Sequence, residues 1–264
     1  MPDEIRRGLE WFCTDLDDTL TTGGQVPTAS YEALWRLHRA GIKPVVVTGR
    51  PAGWCDHIAR MWPVAGVVGE NGAFSFSYDR VRRRMKRRYS RPPEEMAAAR
   101  EELSRIGSRI LREVPGAGIA ADQPYRISDF AIDFREDVPE LSVEEVRRIC
   151  RILDEEGVRY KVSSIHVNYW RGDFDKLSRL KAFLEEETGK PFPALQDSVV
   201  FIGDSPNDEP LFAHLPVTIA VANIREFLSG MAHMPGYITD AAFAEGFREA
   251  ADAVLSRRDA AAGA

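Results

Sequence analysis

The sequence predicts an α/β protein: a doubly wound, Rossmann-like parallel sheet that carries an inserted α+β cap domain. Short apolar runs alternate with amphipathic helical segments, which is the order of a parallel sheet with crossover helices. The runs 44–47 and 198–202 are apolar on both faces, as buried parallel strands are. The middle of the chain instead repeats the order helix-strand-strand twice, which indicates an antiparallel sheet packed against helices.

Each predicted element has a local signal. Segment 30–40 reads as a helix because Tyr31, Leu34 and Leu37 share a face and a glycine follows. Ser142 and Glu145 form the sequence signature of a capping box. The predicted core elements are strands at 9–14, 44–47, 64–68, 198–202 and 217–221 and helices at 30–40, about 52–61 and 175–188. A hairpin is predicted at 74–89, and the insert has helices at 92–112 and 142–156 and strands at 118–121, 126–135, 159–164 and 165–170.

These elements predict a two-part organisation of the chain. The insert is expected to occupy 90–170 as an αββαββ cap domain. The α/β core then consists of 1–89 together with 171–264. The last residues, 257–264, are low in complexity and are expected to be frayed.

Composition excludes several classes of protein. The chain has 264 residues, a net charge of −6 and 44% hydrophobic residues, so it can bury a core and is not intrinsically disordered. It has no run near the ~20 apolar residues of a membrane span, and the first 11 residues lack the apolar stretch of a signal peptide. Cys13, Cys55 and Cys150 are far apart and form no CxxC, so we expect buried, reduced thiols in a cytoplasmic protein.

Polar side chains follow the predicted core strands at the points where they end. Asp15 and Asp17 come after the first strand, Thr48 after the second, and Asp204 and Asp208 after strand 198–202. Ligand sites in open α/β sheets form outside the carboxyl ends of the strands. We therefore expect these residues to converge, although they lie far apart in the chain.

This set of side chains favours phosphoryl chemistry assisted by Mg²⁺. Clustered carboxylates suit a hard cation, and the histidines show no close ligand spacing that would favour zinc. Asp15 can attack phosphorus, and Asp17 is placed to protonate the leaving oxygen and later to activate water. The Thr48 hydroxyl and the backbone N–H at Gly49 can hold phosphoryl oxygens, and Lys176, at the start of a helix, can neutralise developing charge.

Four motifs in order resemble those of the haloacid dehalogenase (HAD) superfamily of phosphatases. The segment 15–19, Asp-Leu-Asp-Asp-Thr, matches its DxDxT motif. The segment 45–50, Val-Val-Val-Thr-Gly-Arg, is similar to the second motif, Lys176 to the third, and 203–208, Gly-Asp-Ser-Pro-Asn-Asp, to the fourth. The resemblance covers nearly the whole chain.

The insert resembles the type IIB cap of this superfamily. It lies between the second and third motifs with the αββαββ order. Sugar phosphatases of the Cof, sucrose-phosphatase and mannosyl-3-phosphoglycerate phosphatase kinds carry such caps. The segment 69–73, Gly-Glu-Asn-Gly-Ala, is also similar to theirs.

The resemblance implies a role for each matching residue. Asp15 would be the nucleophile and a Mg²⁺ ligand. Asp17 would be the acid/base and bind the metal through its carbonyl, and Asp204 would be the third protein ligand. Asn207 and Asp208 would orient the groups around the metal.

Other candidate residues allow two interpretations each. Arg50 either touches substrate or pairs with an acidic neighbour, and Asn71 either binds substrate or supports a left-handed turn. His166 and Asn168 share one face of a cap strand, which either faces the site and selects substrate or is solvated. The basic run at 80–91 is either a polyanion patch or a solvated strand with acidic partners.

The leading function is hydrolysis of a small phosphorylated metabolite, expected to be a sugar phosphate, by a Mg²⁺-dependent phosphatase through an aspartyl-phosphate intermediate. The alternatives are a phosphomutase or phosphotransferase on the same fold and a non-catalytic sugar-phosphate-binding protein. Neither nucleic acid nor membrane is an expected partner. The sequence leaves open the physiological substrate, the oligomeric state, the role of the basic run and whether water or a sugar accepts the phosphoryl group.

Overall fold

A large, mostly parallel sheet forms the centre of the molecule in a computed structural model, which describes residues 8–163 and 165–256. The predicted frayed segment 257–264 lies outside the described residues. Eight strands are arranged in the order β12-β11-β10-β1-β2-β3-β4-β5. They are β1 (Trp11–Thr14), β2 (Lys43–Val47), β3 (Gly66–Gly69), β4 (Phe74–Asp79), β5 (Arg84–Tyr89), β10 (Val199–Gly203), β11 (Val217–Ala220) and β12 (Tyr237–Ile238).

Strand β1 lies in the middle of this sheet and is parallel to both neighbours. Thr14 is in register with Ile202 of β10 on one side and with Val46 of β2 on the other. All four residues of β1 are buried, which is why the strand reads as a continuous apolar run. The register brings the carboxyl ends of β1, β2 and β10 to one edge of the sheet.

Helices cover both faces of the sheet. On one face Phe247 packs edge-on against Phe12, and on the other Phe183 packs edge-on against Trp11. The first face is covered by α1 (Thr28–Arg39), α2 (Ala52–Met61) and α7 (Phe243–Leu255), and the second by α5 (Lys176–Thr188) and α6 (Glu209–His214). This arrangement confirms the predicted doubly wound α/β class.

The insert forms a second, antiparallel sheet in the order β6-β7-β9-β8. Its elements are α3 (Pro93–Glu113), β6 (Gly118–Ile119), β7 (Phe130–Asp133), α4 (Val143–Glu155), β8 (Arg159–Val162) and β9 (His166–Trp170). The αββαββ order is as predicted. Val167 and Tyr169 face the two cap helices and form a separate apolar core with residues such as Ile132. The domain boundaries at 89/90 and 170/171 stay a prediction.

One sequence prediction in the cap is wrong in detail, and one of two open interpretations is excluded. The strand predicted over 126–135 is limited to β7 (Phe130–Asp133), because residues 127–129 direct their backbone N–H groups to a core carboxylate instead of a neighbouring strand. The face that carries His166 and Asn168 is not solvated: the two residues are 2% and 4% exposed. It lies opposite the face of Val167 and Tyr169 and is turned toward the core sheet.

The basic run belongs to an edge strand. β5 is the last strand of the large sheet in the described part of the chain. Three of its four cations have acidic partners; for example, Arg87 lies 3.0 Å from Asp56, and Arg88 lies 2.8 Å from Glu187. Charged side chains on an edge strand oppose pairing with another chain. The solvated strand with acidic neighbours, rather than a polyanion patch, is therefore the interpretation that the contacts favour.

The thiols match the sequence expectation only in part. Cys13 and Cys55 are buried, whereas Cys150 is half-buried. Burial raises the pKa of both buried thiols, so they remain protonated and unreactive. No helix in the described part of the chain is long and apolar enough to cross a bilayer.

A close approach at Gly72 joins the end of β3 to helix α5. Gly72 has φ +104°, and a Cβ added there would lie 2.1 Å from the backbone oxygen of Asp175, the N-cap of α5. Only glycine fits both the conformation and the space. Through this contact the backbone after β3 fixes the start of the helix that carries Lys176.

We expect Gly72→Ala to destabilise the protein more than Gly157→Ala does. Gly157 also has a positive φ, +63°, but a Cβ there would meet nothing within 4 Å, so it isolates the cost of backbone strain. Strain should cost about 1 kcal/mol in each variant, and the collision in Gly72→Ala should add about 1–3 kcal/mol. Urea unfolding of both variants measures the difference, and equal losses would contradict the collision.

Candidate active site

The site is built where β1, β2 and β10 end. The backbone N–H of Asp15 donates to the carbonyl of Ile202 at 2.9 Å, which ties the loop after β1 to β10. The N–H of Thr48 donates to the carbonyl of Val68 at 2.9 Å, so the loop after β2 continues the pairing with β3. Asp204 follows β10 directly. Sheet pairing alone thus brings the three strand ends together.

Three carboxylates meet at this point. One oxygen each from Asp15, Asp204 and Asp208 lie within 4.8 Å of one another, and all three side chains are buried. Lys176 places Nζ 3.1 Å from Asp15 Oδ2 and 2.9 Å from Asp208 Oδ1. The structure therefore brings together the residues that the sequence placed after separate strands and at the start of a helix.

The charges of this cluster do not balance. Burial raises the pKa of Asp15 to about 7; Lys176 opposes that shift, and Asp208 adds to it. Burial and the charges of Asp15 and Asp208 raise the pKa of Asp204 well above its usual range. The same carboxylates outweigh burial at Lys176 and raise the pKa of its ammonium group. One ammonium among three carboxylates leaves an excess of negative charge on oxygen donors, which fits a divalent cation such as Mg²⁺.

Asp208 and its neighbours hold the cluster in place. Asp208 is fully buried, and its Oδ2 accepts the backbone N–H of Asp204 at 3.2 Å. A Cβ at Gly203 would lie 2.3 Å from that oxygen, so this position accepts only glycine. Thr19 donates to Asp204 at 3.1 Å, and Asn207 accepts from Ser205 at 3.0 Å. These contacts orient the carboxylates; the predicted roles of Asn207 and Asp208 stay predictions.

Asp17 points to an arginine. Both of its carboxylate oxygens accept hydrogen bonds from Arg50 at 3.0–3.1 Å. The Arg50 guanidinium also lies 4.6 Å from the ring centre of Trp54 and donates to Glu136 at 3.1 Å. Of the two interpretations of Arg50, the acidic pairing is the one observed.

Glu136 and His166 extend this chain of contacts into the cap. His166 Nε2 lies 3.0 Å from a carboxylate oxygen of Glu136. His166 and then Arg50 lower the pKa of Glu136 to about 2, which keeps it ionised. A core arginine, a cap carboxylate and a cap histidine are thus linked across the cleft.

The loop after β2 and Asn71 line the core side of the cleft. Thr48 Oγ1 accepts the backbone N–H of Arg50 at 3.0 Å, which closes the turn around Gly49. Asn71 has φ 55° and ψ 27°, which is the left-handed turn of one of its two sequence interpretations. Its side chain also lies 3.5 Å from Asp129 in the cap.

Sequence reasoning missed the cap residues that complete the site. Arg126 donates to Asp129 at 3.0 Å and crosses to the core to donate to the carbonyl of Gly49 at 2.9 Å. Asn168 donates to Asp129 at 3.0 Å. Arg126 and Asp129 carry no motif and lie within a predicted strand, so only the pairing of distant segments reveals them.

The cleft between core and cap is narrow. Core residues such as Asp15 and Arg50 and cap residues such as His166 and Asn168 line a cavity of about 30 Å³. That volume holds about one water molecule. A phosphorylated metabolite requires more space than this cavity provides.

Comparisons with known proteins agree with this arrangement. Residues 12–90 match the family model of haloacid dehalogenase-like hydrolases. A phosphoglycolate phosphatase of Methanobrevibacter smithii is 25% identical over 244 residues, which cover 92% of this chain and 97% of that protein. The resemblance that the sequence motifs indicated is confirmed.

Solved structures share the fold over nearly their full length. A protein of Thermoplasma acidophilum superposes with a TM-score of 0.70 at 17% identity and covers 93% of this chain and 98% of its own. A phosphatase of the haloalkanoate superfamily from Bacteroides thetaiotaomicron gives a TM-score of 0.62 at 18% identity, over 96% and 97%. A structure described as a HAD subclass IIB sugar phosphatase gives 0.61 at 15% identity, over 91% and 97%.

Proposed function

We propose that this chain is a phosphatase of the haloacid dehalogenase-like hydrolases and that it uses Mg²⁺ to hydrolyse a small phosphorylated metabolite through an aspartyl phosphate. The observation that carries the proposal is the buried cluster of Asp15, Asp204 and Asp208 beside Lys176. A protein that only binds a phosphate has no need of a carboxylate at the centre of its site, because the like charges repel.

The first step transfers the phosphoryl group to Asp15. A carboxylate oxygen of Asp15 attacks phosphorus, and the bond between phosphorus and the ester oxygen breaks. Asp17 donates a proton to that leaving oxygen, so an alcohol is released. Lys176, 3.1 Å from Asp15, orients the attacking carboxylate and offsets negative charge near it.

The second step releases the phosphate. Asp17, now a carboxylate, takes a proton from a water molecule whose oxygen attacks phosphorus. The bond between phosphorus and Asp15 breaks, which restores the Asp15 carboxylate and yields inorganic phosphate. The backbone N–H at Gly49 and the Thr48 hydroxyl are placed at the strand end to hold the phosphoryl oxygens in both steps.

Mg²⁺ would be held by Asp15, Asp204 and the backbone carbonyl of Asp17. Asp208 and Asn207 would orient these ligands. Bound there, the metal would reduce the repulsion between the Asp15 carboxylate and a phosphate dianion. The unbalanced carboxylates of the cluster support this assignment.

Arg50 binds both the proposed acid/base Asp17 and the cap residue Glu136. Both oxygens of Asp17 are bound by Arg50. Asp17 has to leave this arginine to reach a leaving oxygen, and an incoming phosphoryl oxygen is a suitable replacement partner for the guanidinium. Substrate binding would thus free Asp17 for proton transfer.

Sugar phosphates are the first candidate substrates, because the cap has the αββαββ order and the fold is shared with a structure described as a sugar phosphatase. A second candidate is 2-phosphoglycolate. The relative from M. smithii favours it, since that protein aligns over 92% of this chain.

We expect Asp15→Asn to lower kcat on p-nitrophenyl phosphate by about a thousandfold or more, because the amide cannot attack phosphorus. Asp197→Asn, at an exposed aspartate before β10, is the matched control and should keep normal turnover. Circular dichroism checks that both variants fold. Retained activity in folded Asp15→Asn would refute the assignment of Asp15 as the nucleophile.

Chelation of divalent cations should abolish turnover, and added Mg²⁺ should restore it. Asp204→Asn should raise the Mg²⁺ concentration needed for half-maximal rate by about tenfold or more, because a ligand is weakened. A magnesium titration of steady-state rate measures this, with Asp197→Asn again as control. Full activity after exhaustive chelation would contradict the metal requirement.

A panel of phosphorylated metabolites tests the substrate class. We expect the highest kcat/KM for a sugar phosphate or for 2-phosphoglycolate, well above that for p-nitrophenyl phosphate, because the cap contributes binding only to a fitting organic group. Each assay measures released phosphate with and without a free sugar. Loss of phosphate release in favour of a new sugar phosphate would identify a phosphotransferase instead, and a flat panel would contradict both substrate candidates.

A further inference from the structure

Glu70 is a buried carboxylate for which the proposed chemistry has no use. It is 0% exposed and follows β3 in the core. Both Glu70 and the next residue, Asn71, have positive φ angles, 44° and 55°. Two consecutive non-glycine residues in this conformation cost free energy and persist only where surrounding contacts impose them.

The contacts that impose this conformation come from the cap. Glu70 Oε2 accepts the backbone N–H of Ser128 at 2.7 Å and of Asp129 at 3.1 Å. Its two oxygens also share the N–H of Ile127, at 3.0 and 3.2 Å. Three consecutive cap amides therefore converge on one core carboxylate, which is a backbone anion site filled by a side chain.

A fourth donor fixes the carboxylate on the core side. The backbone N–H of Ala52, at the start of α2, donates to Glu70 Oε1 at 3.0 Å. Glu70 is thereby held between the start of α2 in the core and residues 127–129 in the cap. Its position is set from both sides of the cleft.

The cap loop held in this way carries the network that faces substrate. Asp129, whose amide binds Glu70, accepts hydrogen bonds from Arg126 and from Asn168. Arg126 and Asn168 line the cleft. The location of these two side chains thus depends on where residues 127–129 are anchored.

We infer that Glu70 is a positioning residue that joins the cap to the core through the amides of residues 127–129 and so sets the substrate-facing groups Arg126 and Asn168. The inference rests on the proposed function only for its effect on KM. The hydrogen bonds between Glu70 and the amides of residues 127–129 form without substrate, so hydrogen exchange can measure them independently of activity.

The test compares Glu70→Gln with Glu249→Gln. Glu249 is a matched control because it also accepts backbone N–H groups, from Asp240 and Ala241 at 3.0–3.1 Å, in a part of the core that lies outside the cleft. In either variant the NH₂ group of the glutamine replaces one carboxylate oxygen, and it cannot accept a hydrogen bond from the backbone donors. Each variant therefore weakens backbone hydrogen bonds to a carboxylate, from four donors at Glu70 and from two at the more exposed Glu249, but only Glu70→Gln is expected to loosen the cap.

Hydrogen exchange measures the hydrogen bonds to Glu70 directly. In the unaltered protein the amides of 127–129 should exchange at least about tenfold more slowly than free loop amides, since a buried carboxylate holds them. Glu70→Gln should speed their exchange by about tenfold, and Glu249→Gln should leave it unchanged. Fast exchange in the unaltered protein, or no change in Glu70→Gln, would overturn the inference. The exchange rates of the unaltered protein test the inference even if Glu70→Gln does not fold.

Kinetics measures the consequence for substrate. With the best substrate of the panel, Glu70→Gln should raise KM by about fivefold to tenfold with a smaller change in kcat, because Asp15 and Lys176 are untouched. Glu249→Gln should change neither constant. Equal effects of the two variants on KM would reduce Glu70 to a merely structural role. If the protein hydrolyses no phosphate ester, the proposed function fails, while the exchange result still stands.

Discussion

The whole site depends on the register of one strand. β1 lies between β2 and β10 with Thr14 opposite Val46 and Ile202, so the residues after each strand emerge at one edge. Because β1 is buried on both faces, a one-residue shift would exchange the side chains that pack against the two helix layers, and the close fit of those side chains disfavours such a shift. The packing of Phe12 and Trp11 against opposite helix layers thus determines where Asp15 is placed.

The local patterns that fold the core also made its site predictable. Asp15, Thr48 and Asp204 directly follow apolar runs, and the end of such a run can be located without knowing what it pairs with. Lys176 was predictable for a similar reason, since it follows the N-cap of a helix. Spatial convergence then follows from the general rule for parallel sheets.

The cap side was predicted only in outline. Its αββαββ order is local and was correct, but the strand expected from residue 126 begins at Phe130. Residues 127–129 bind Glu70, which lies far away in the sequence, and that competition for their amides has no local signature. The burial of His166 and Asn168 likewise results from the approach of the core, which no pattern within β9 encodes.

The narrow cleft has a kinetic consequence for the proposed reaction. A cavity of about 30 Å³ holds about one water molecule, which is less space than a phosphorylated metabolite requires. Each turnover would then include one separation of cap and core that admits substrate and another that releases products. The frequency of that motion would set an upper limit on kcat, whatever the rate of the chemical step.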